Sequence, residues 1–257
     1  MSLQPIDMTG KVALVTGGGY GMGRASARLF ARAGAHVVVA DIDADRGKET
    51  IGLIEADGGS ALFVEADVSL SADVRRTISA VDESFGRLDY AHNNAGILEG
   101  QDKLADYAEE QWDRLIANNL TSVFLCMKYE IPLMARGGGG AIVNVASEAT
   151  YKGNIADVGY TASKHGVYGL TTAAGLTYLD QNIRVNAVAP GNIDTGIIER
   201  ARAAGQAEAV EWAAGVQPIR RLGRPEEIAE VVLWLCSDAA SFVNASRIAA
   251  DTGWHVS

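Results

Sequence analysis

The stretch Lys11-Val12-Ala13-Leu14-Val15-Thr16-Gly17-Gly18-Gly19-Tyr20-Gly21-Met22-Gly23 decides the fold. KVALVT has the apolar, β-branched character of a buried strand, and the glycines after it break that strand sharply. A helical pattern over Gly21 to Ala33 follows at once, with Ala25, Leu29, Phe30 and Ala33 on its apolar side. In such a strand-to-helix turn the backbone can approach a ligand closely, and free N–H groups at the helix start attract negative charge. The arrangement predicts a phosphate-binding turn.

Asp41 stands 18 residues beyond Gly23, at the end of a second apolar run, His36 to Asp41. A carboxylate there accepts hydrogen bonds from the adenosine ribose hydroxyls and repels a 2′-phosphate. Tyr20 occupies a turn position where a basic side chain would favour NADP. Both positions point to NAD, with Gly17, Gly19, Tyr20, Gly21, Met22, Gly23, Asp41 and Ile42 as its first contacts. Asp67-Val68 after a third run, Ala61 to Glu65, can meet the adenine edge. Asn93-Asn94-Ala95-Gly96 after a fourth, Leu88 to His92, can pass close to the adenosine ribose, through Asn94, Ala95 and Gly96.

The alternation continues with strands expected at Ala141 to Val145 and Ile183 to Val188. Helices are expected at Ala44 to Ala56, Ala72 to Phe85, Glu109 to Met134 and Tyr160 to Leu179. Strand and helix alternating in this way imply right-handed crossovers and a parallel sheet covered on both faces. The 257 residues carry no Pro- or Ser-rich linker and no fixed repeat, so residues 1–257 are expected to form a single domain. Asn192 to Val216 breaks the pattern and is expected to cover a substrate pocket.

Apolar residues make up 48% and charged residues 21%, which excludes a disordered or fibrous chain. Lys plus Arg total 22 against 32 Asp plus Glu, a net charge of −10. General attraction to nucleic acid or to an anionic membrane is therefore not expected. The N-terminal residues lack a basic segment followed by an apolar run, and no later stretch is apolar for long enough to span a bilayer, so the expected location is the cytoplasm. Cys126 and Cys236 lie in apolar surroundings and read as buried thiols. His36, His92, His165 and His255 show no ligand spacing, and no metal is expected.

Tyr160 and Lys164 are four apart on a helix, on one face. An ammonium near a phenol favours the phenolate, the form that takes a proton from an alcohol. Ser147 lies thirteen residues ahead of Tyr160, just past the Ala141 to Val145 run. Its hydroxyl can help hold a carbonyl oxygen while Tyr160 delivers a proton.

With these residues in view, the chain resembles the short-chain dehydrogenase/reductase family, compact subgroup, from about Thr9 to Trp254. The resemblance rests on the Thr16 to Gly23 turn, Asn93 to Gly96, Asn119, Ser147, the Tyr160 to Lys164 pair, and Pro190-Gly191 with Thr195. It implies a single-domain α/β Rossmann fold, a doubly wound parallel sheet of about seven strands with helices on both faces. It further implies that Tyr160 is the general acid/base, that Ser147 orients the substrate oxygen, and that Lys164 lowers the tyrosine pKa and binds the nicotinamide ribose. Asn119 would hold a water through its backbone carbonyl, with Asn118 the neighbouring alternative. Pro190, Gly191, Ile193 and Thr195 would lie beside the nicotinamide. In the family the chain end helps build a tetramer, so a homotetramer or homodimer is expected. Ala245 and Thr252 stand where the family usually has glycine, which bears on assembly and leaves catalysis untouched.

The reading is an NAD-dependent oxidoreductase interconverting a small-molecule secondary alcohol, medium-sized and cyclic or aromatic, with its ketone. Leu98, Glu99, Ala149, Tyr151, Asn154, Val158 and the 192–216 segment with Trp212 are expected to wall the pocket. Acyl carrier protein thioesters fit less well, since they usually go with NADPH and a basic docking patch. The alternatives are a non-catalytic NAD(H)-binding regulator, a sugar or steroid alcohol dehydrogenase, and a nucleotide-sugar epimerase or dehydratase, which usually adds a substrate domain.

Overall fold

A computed structural model of the chain describes residues 6–100, 102–153 and 157–257. Its strands are β1 (Val12–Thr16), β2 (His36–Asp41), β3 (Ser60–Glu65), β4 (Tyr90–Asn93), β5 (Gly140–Val145), β6 (Ile183–Pro190) and β7 (Arg247–Ala250). All pair in parallel, in the order β3-β2-β1-β4-β5-β6-β7. The chain lays down β1, β2 and β3 in one direction, then returns to the other side of β1 for β4. That reversal opens a crevice at the carboxyl ends of β1 and β4, where ligands of open α/β sheets bind.

Parallel strands buried on both faces need apolar residues at successive positions, and β1 is buried throughout. Ala13 and Val15 pack with Phe30 of α1 (Gly21–Arg32) and with Ile228, Val232 and Leu235 of α9 (Pro225–Cys236). Val12 and Leu14 pack on the other face with Ile78 and Val81 of α3 (Ser71–Phe85), Met127 and Ile131 of α5 (Ser122–Arg136) and Val167 of α6 (Val158–Thr177). The period-two alternation of one strand thus feeds two separate cores. The remaining helices are α2 (Ala44–Ala56), α4 (Glu109–Ile116), α7 (Gly196–Ala203) and α8 (Ala207–Gly215).

Three expectations change. The helix expected over Glu109 to Met134 is divided into α4 and α5 by a π turn, Ala117–Thr121. The helix expected from Tyr160 starts at Val158, because the Asp157 carboxylate caps it by accepting from the Tyr160 N–H at 2.6 Å. The fourth strand is shorter and later than Leu88 to His92, since its ladder with β1 begins at Tyr90 and ends at Asn93. Among the described residues no helix is long and apolar enough to cross a membrane.

Candidate active site

The turn after β1 is shaped by its glycines. Gly17 has φ +61° and Gly21 φ +53°, backbone that favours glycine. A Cβ on Gly23 would stand 2.1 Å from the Gly17 carbonyl oxygen, so only glycine lets α1 come this close to β1. Tyr20 is the N-cap of α1 and offers no side-chain cap bond, which leaves the first-turn N–H groups directed at the crevice mouth. The Asp41 carboxylate accepts from the Gly19 N–H at 2.8 Å and from the Asp43 N–H at 2.9 Å, fixing it at the rim.

A cleft of about 390 Å³ runs along this rim, with Gly17, Tyr20, Gly21, Met22, Asp41, Ile42, Asp67, Val68, Asn94, Ala95, Gly96 and Thr195 among its walls. Twelve of the expected cofactor contacts are thus brought together on one cleft. Gly19 and Gly23 lie inside the turn that forms it. Asn94 is also a brace, its amide donating to the Thr16 and Gly17 carbonyls at 3.0 Å each. A glycine cradle, an uncapped helix start and a carboxylate at the end of β2 fit an adenine dinucleotide.

A second, smaller cavity of about 130 Å³ shares the walls Met22 and Thr195 with that cleft. Ser147, Tyr160, Pro190, Gly191 and Ile193 line it, so two of the expected catalytic residues meet the nicotinamide-side residues here, while Lys164 and Asn119 are not among its walls. Ser147 is buried, and its Oγ accepts from the Ala149 N–H at 3.1 Å. The Lys164 ammonium lies 5.5 Å from the Tyr160 ring centre and donates to the Val145 carbonyl at 2.8 Å. Asn119 is fully buried in the π turn, its Oδ1 accepting from the Ile97 N–H at 2.7 Å and its Nδ2 donating to the Ile97 carbonyl at 2.8 Å. Asn118 lies on the cleft side of that turn with its amide on the Arg114 carbonyl.

The electrostatics differ from the expected ones. Burial pushes Tyr160 well above the ordinary phenol range, the Glu148 carboxylate adds to the rise, and a hydrogen bond from Ser147 opposes it. Lys164 is itself pushed down to about 8 by burial. In the protein alone, the lysine does not bring the tyrosine down: desolvation outweighs it, and the remaining stabilisation of a phenolate has to come from positive charge that arrives with the ligands.

Several expected pocket residues lie elsewhere. Leu98 lines the small cavity, but Ala149, Tyr151, Val158 and Trp212 do not. Ala149 is wholly buried behind Ser147. Tyr151 is held between the Arg247 guanidinium, 3.5 Å from its ring centre, and the His255 ring at 4.7 Å. Val158 opens α6, and Trp212 is 55% exposed on α8. Glu99 pairs with Arg114 at 3.0 Å. Asn154 lies outside the described residues. The walls Val145, Ala146 and Glu148 were not expected, whereas Asn192 and Ile198 belong to the 192–216 segment that was; for Glu148, adjacency to Ser147 was the available signal.

A family model described as enoyl-(acyl carrier protein) reductase matches residues 17–255. The chain is 44% identical to a cyclohexanol dehydrogenase of an Acinetobacter species, over 94% of this chain and 93% of that one. It is 40% identical to a 2,5-dichloro-2,5-cyclohexadiene-1,4-diol dehydrogenase of Sphingobium indicum, over 96% and 98%. The crystal structure of levodione reductase superposes with a TM-score of 0.92 at 36% identity, over 97% of this chain and 99% of that one. The chain belongs to the short-chain dehydrogenase/reductase family and is an oxidoreductase of CH–OH groups that uses a nicotinamide cofactor.

Proposed function

We propose that this chain is an NAD-dependent dehydrogenase interconverting a secondary alcohol on a small ring with its ketone, with Tyr160 as general acid/base. The observation that carries the reading is that Ser147 and Tyr160 line one small cavity, which shares walls with the cleft holding Asp41. At about 130 Å³ the cavity is below the usual range of roughly 300–1,000 Å³ for ligand pockets, which suits a single ring better than a steroid. The ring alcohols named for the relatives point the same way.

A bound nicotinamide would supply the acceptor for hydride leaving the carbinol carbon. Ser147 Oγ holds the substrate oxygen, and Tyr160 Oη accepts its proton. Lys164 and the Gly17 to Gly23 turn hold the cofactor's ribose and phosphates, Asp41 its adenosine ribose, and Pro190, Gly191, Ile193 and Thr195 its nicotinamide end. The Asn119 backbone carbonyl holds a water that carries the proton onward; the π turn supports this, because such turns alter local carbonyl pairing and recur at functional sites. We infer a homotetramer or homodimer in the cytoplasm, with the 192–216 segment over the substrate. An NADH-appearance screen across cyclic, aromatic, sugar and steroid alcohols tests the reading: turnover confined to small-ring alcohols with NAD is expected, and absence of turnover with every alcohol would favour a non-catalytic cofactor-binding protein.

A further inference from the structure

The small cavity has an ionisable wall that alcohol oxidation does not use. Glu148 follows Ser147, is 8% exposed, and its Oε2 has no hydrogen-bond partner among the described residues. An unpartnered buried carboxyl destabilises a fold, and an apolar side chain would fill the same space without that cost. The feature therefore asks for a ligand.

The surroundings say which kind. The ionisable groups that bear on Glu148 are Tyr160 of α6 and Asp251 just past β7, and Asp157 at the start of α6 bears on Tyr160 in turn. All are acidic, and no described basic side chain pairs with Glu148. Burial, with Asp251 adding to it, pushes the carboxyl up to about 7, so near neutrality it both donates and accepts. Ser147, Glu148 and Tyr160 all line the same small cavity. The Glu148 carboxyl thus borders the same cavity of about 130 Å³ as the two groups proposed to hold the reacting oxygen. An anionic substituent would meet only like charge here.

We propose that Glu148 is a specificity-determining residue that binds a second, uncharged oxygen next to the carbinol carbon, so that the chain prefers vicinal ring diols and their α-hydroxy ketones to simple ring alcohols. The inference rests on the cavity being the alcohol site. A simple alcohol would leave the carboxyl stranded, and sites built to bond a hydroxyl discriminate strongly against ligands that lack it.

The test compares kcat/KM for cis- and trans-cyclohexane-1,2-diol with that for cyclohexanol at pH 7, in the wild type, Glu148→Leu and Glu148→Gln. The wild type should prefer one of the diols by at least about tenfold. Glu148→Leu should narrow that ratio to within about threefold, because the diol loses a partner and the simple alcohol no longer strands a carboxyl. Glu148→Gln, which donates and accepts in the same space, should keep most of the preference and guards against misfolding of the leucine variant. Calorimetric titration of the same three ligands into protein holding NADH reads the same ratio without turnover. Failure of every alcohol to turn over would thus count against the proposed reaction, whereas a wild-type binding ratio near one, or a ratio unchanged in Glu148→Leu, would overturn the role of Glu148.

Discussion

Two carboxylates at the site separate its tasks. Asp41 is pinned at the cleft rim by the Gly19 and Asp43 N–H groups, and in the proposed NAD reading it faces the adenosine ribose. Hydrogen bonds to a charged group contribute about 1.5–3 kcal/mol each, so NAD should be preferred over NADP by about two orders of magnitude in kcat/KM. Asp41→Ser should narrow that ratio from both sides, as measured with the two cofactors at one fixed alcohol; an unchanged ratio would remove Asp41 from cofactor choice. Glu148 acts on Tyr160 through charge. Its ionised form raises the tyrosine pKa, so removing it lowers that pKa. In the proposed oxidation the phenolate is the active form, so the rise of kcat/KM with pH should move to lower pH in Glu148→Gln. A shift upward would contradict the geometry.

At the scale of elements, the turn from Thr16 to Gly23, the strand ends and the helix carrying Tyr160 were legible because each is written locally, in glycines, β-branched runs and a four-residue spacing. The division of Glu109 to Arg136 was not: its apolar pattern continues through Ala117–Thr121, and a one-residue widening of a helix leaves no gap in such a pattern. Nor were the pocket walls, since Tyr151 is drawn away by Arg247 and His255, which both lie far along the chain in its C-terminal segment. The departures from glycine at Ala245 and Thr252 were legible and consequential. Both residues sit in left-handed backbone, at φ +53° and +57°. A β-branched residue is strained there. Thr252 is exposed and loses no packing, so Thr252→Gly should stabilise the chain by about 1 kcal/mol and raise Tm by roughly 2–4 °C. A fall in Tm would show that the turn is not strained by threonine.

Across the whole molecule, the sheet's inner faces hold a polar network that stability must accommodate. Glu130 of α5 is fully buried, accepts from Asn93 Nδ2 at 3.1 Å, and is pushed up to about 7 by burial. Its folded pKa lies above its ordinary value of 4.5, so the folded state holds the proton more tightly; the stability Glu130 contributes is fully present below about 4.5 and is lost as pH rises through 7. Glu130→Gln keeps an acceptor for Asn93 without the charge and should raise Tm at pH 8 by roughly 2–8 °C, with little change at pH 5. Equal shifts at both pH values would mean that the proton is not the cause. In the proposed reaction the assembled crevice oxidises a ring alcohol with Tyr160 as the proton acceptor. The most direct measurement is NADH formation from cyclohexanol by the wild type and by Tyr160→Phe, each at saturating NAD. The wild type should turn over, and the variant should bind NADH within a few-fold of the wild type while kcat falls by about 10²–10⁴. Retention of more than about a tenth of kcat by Tyr160→Phe would contradict the claim.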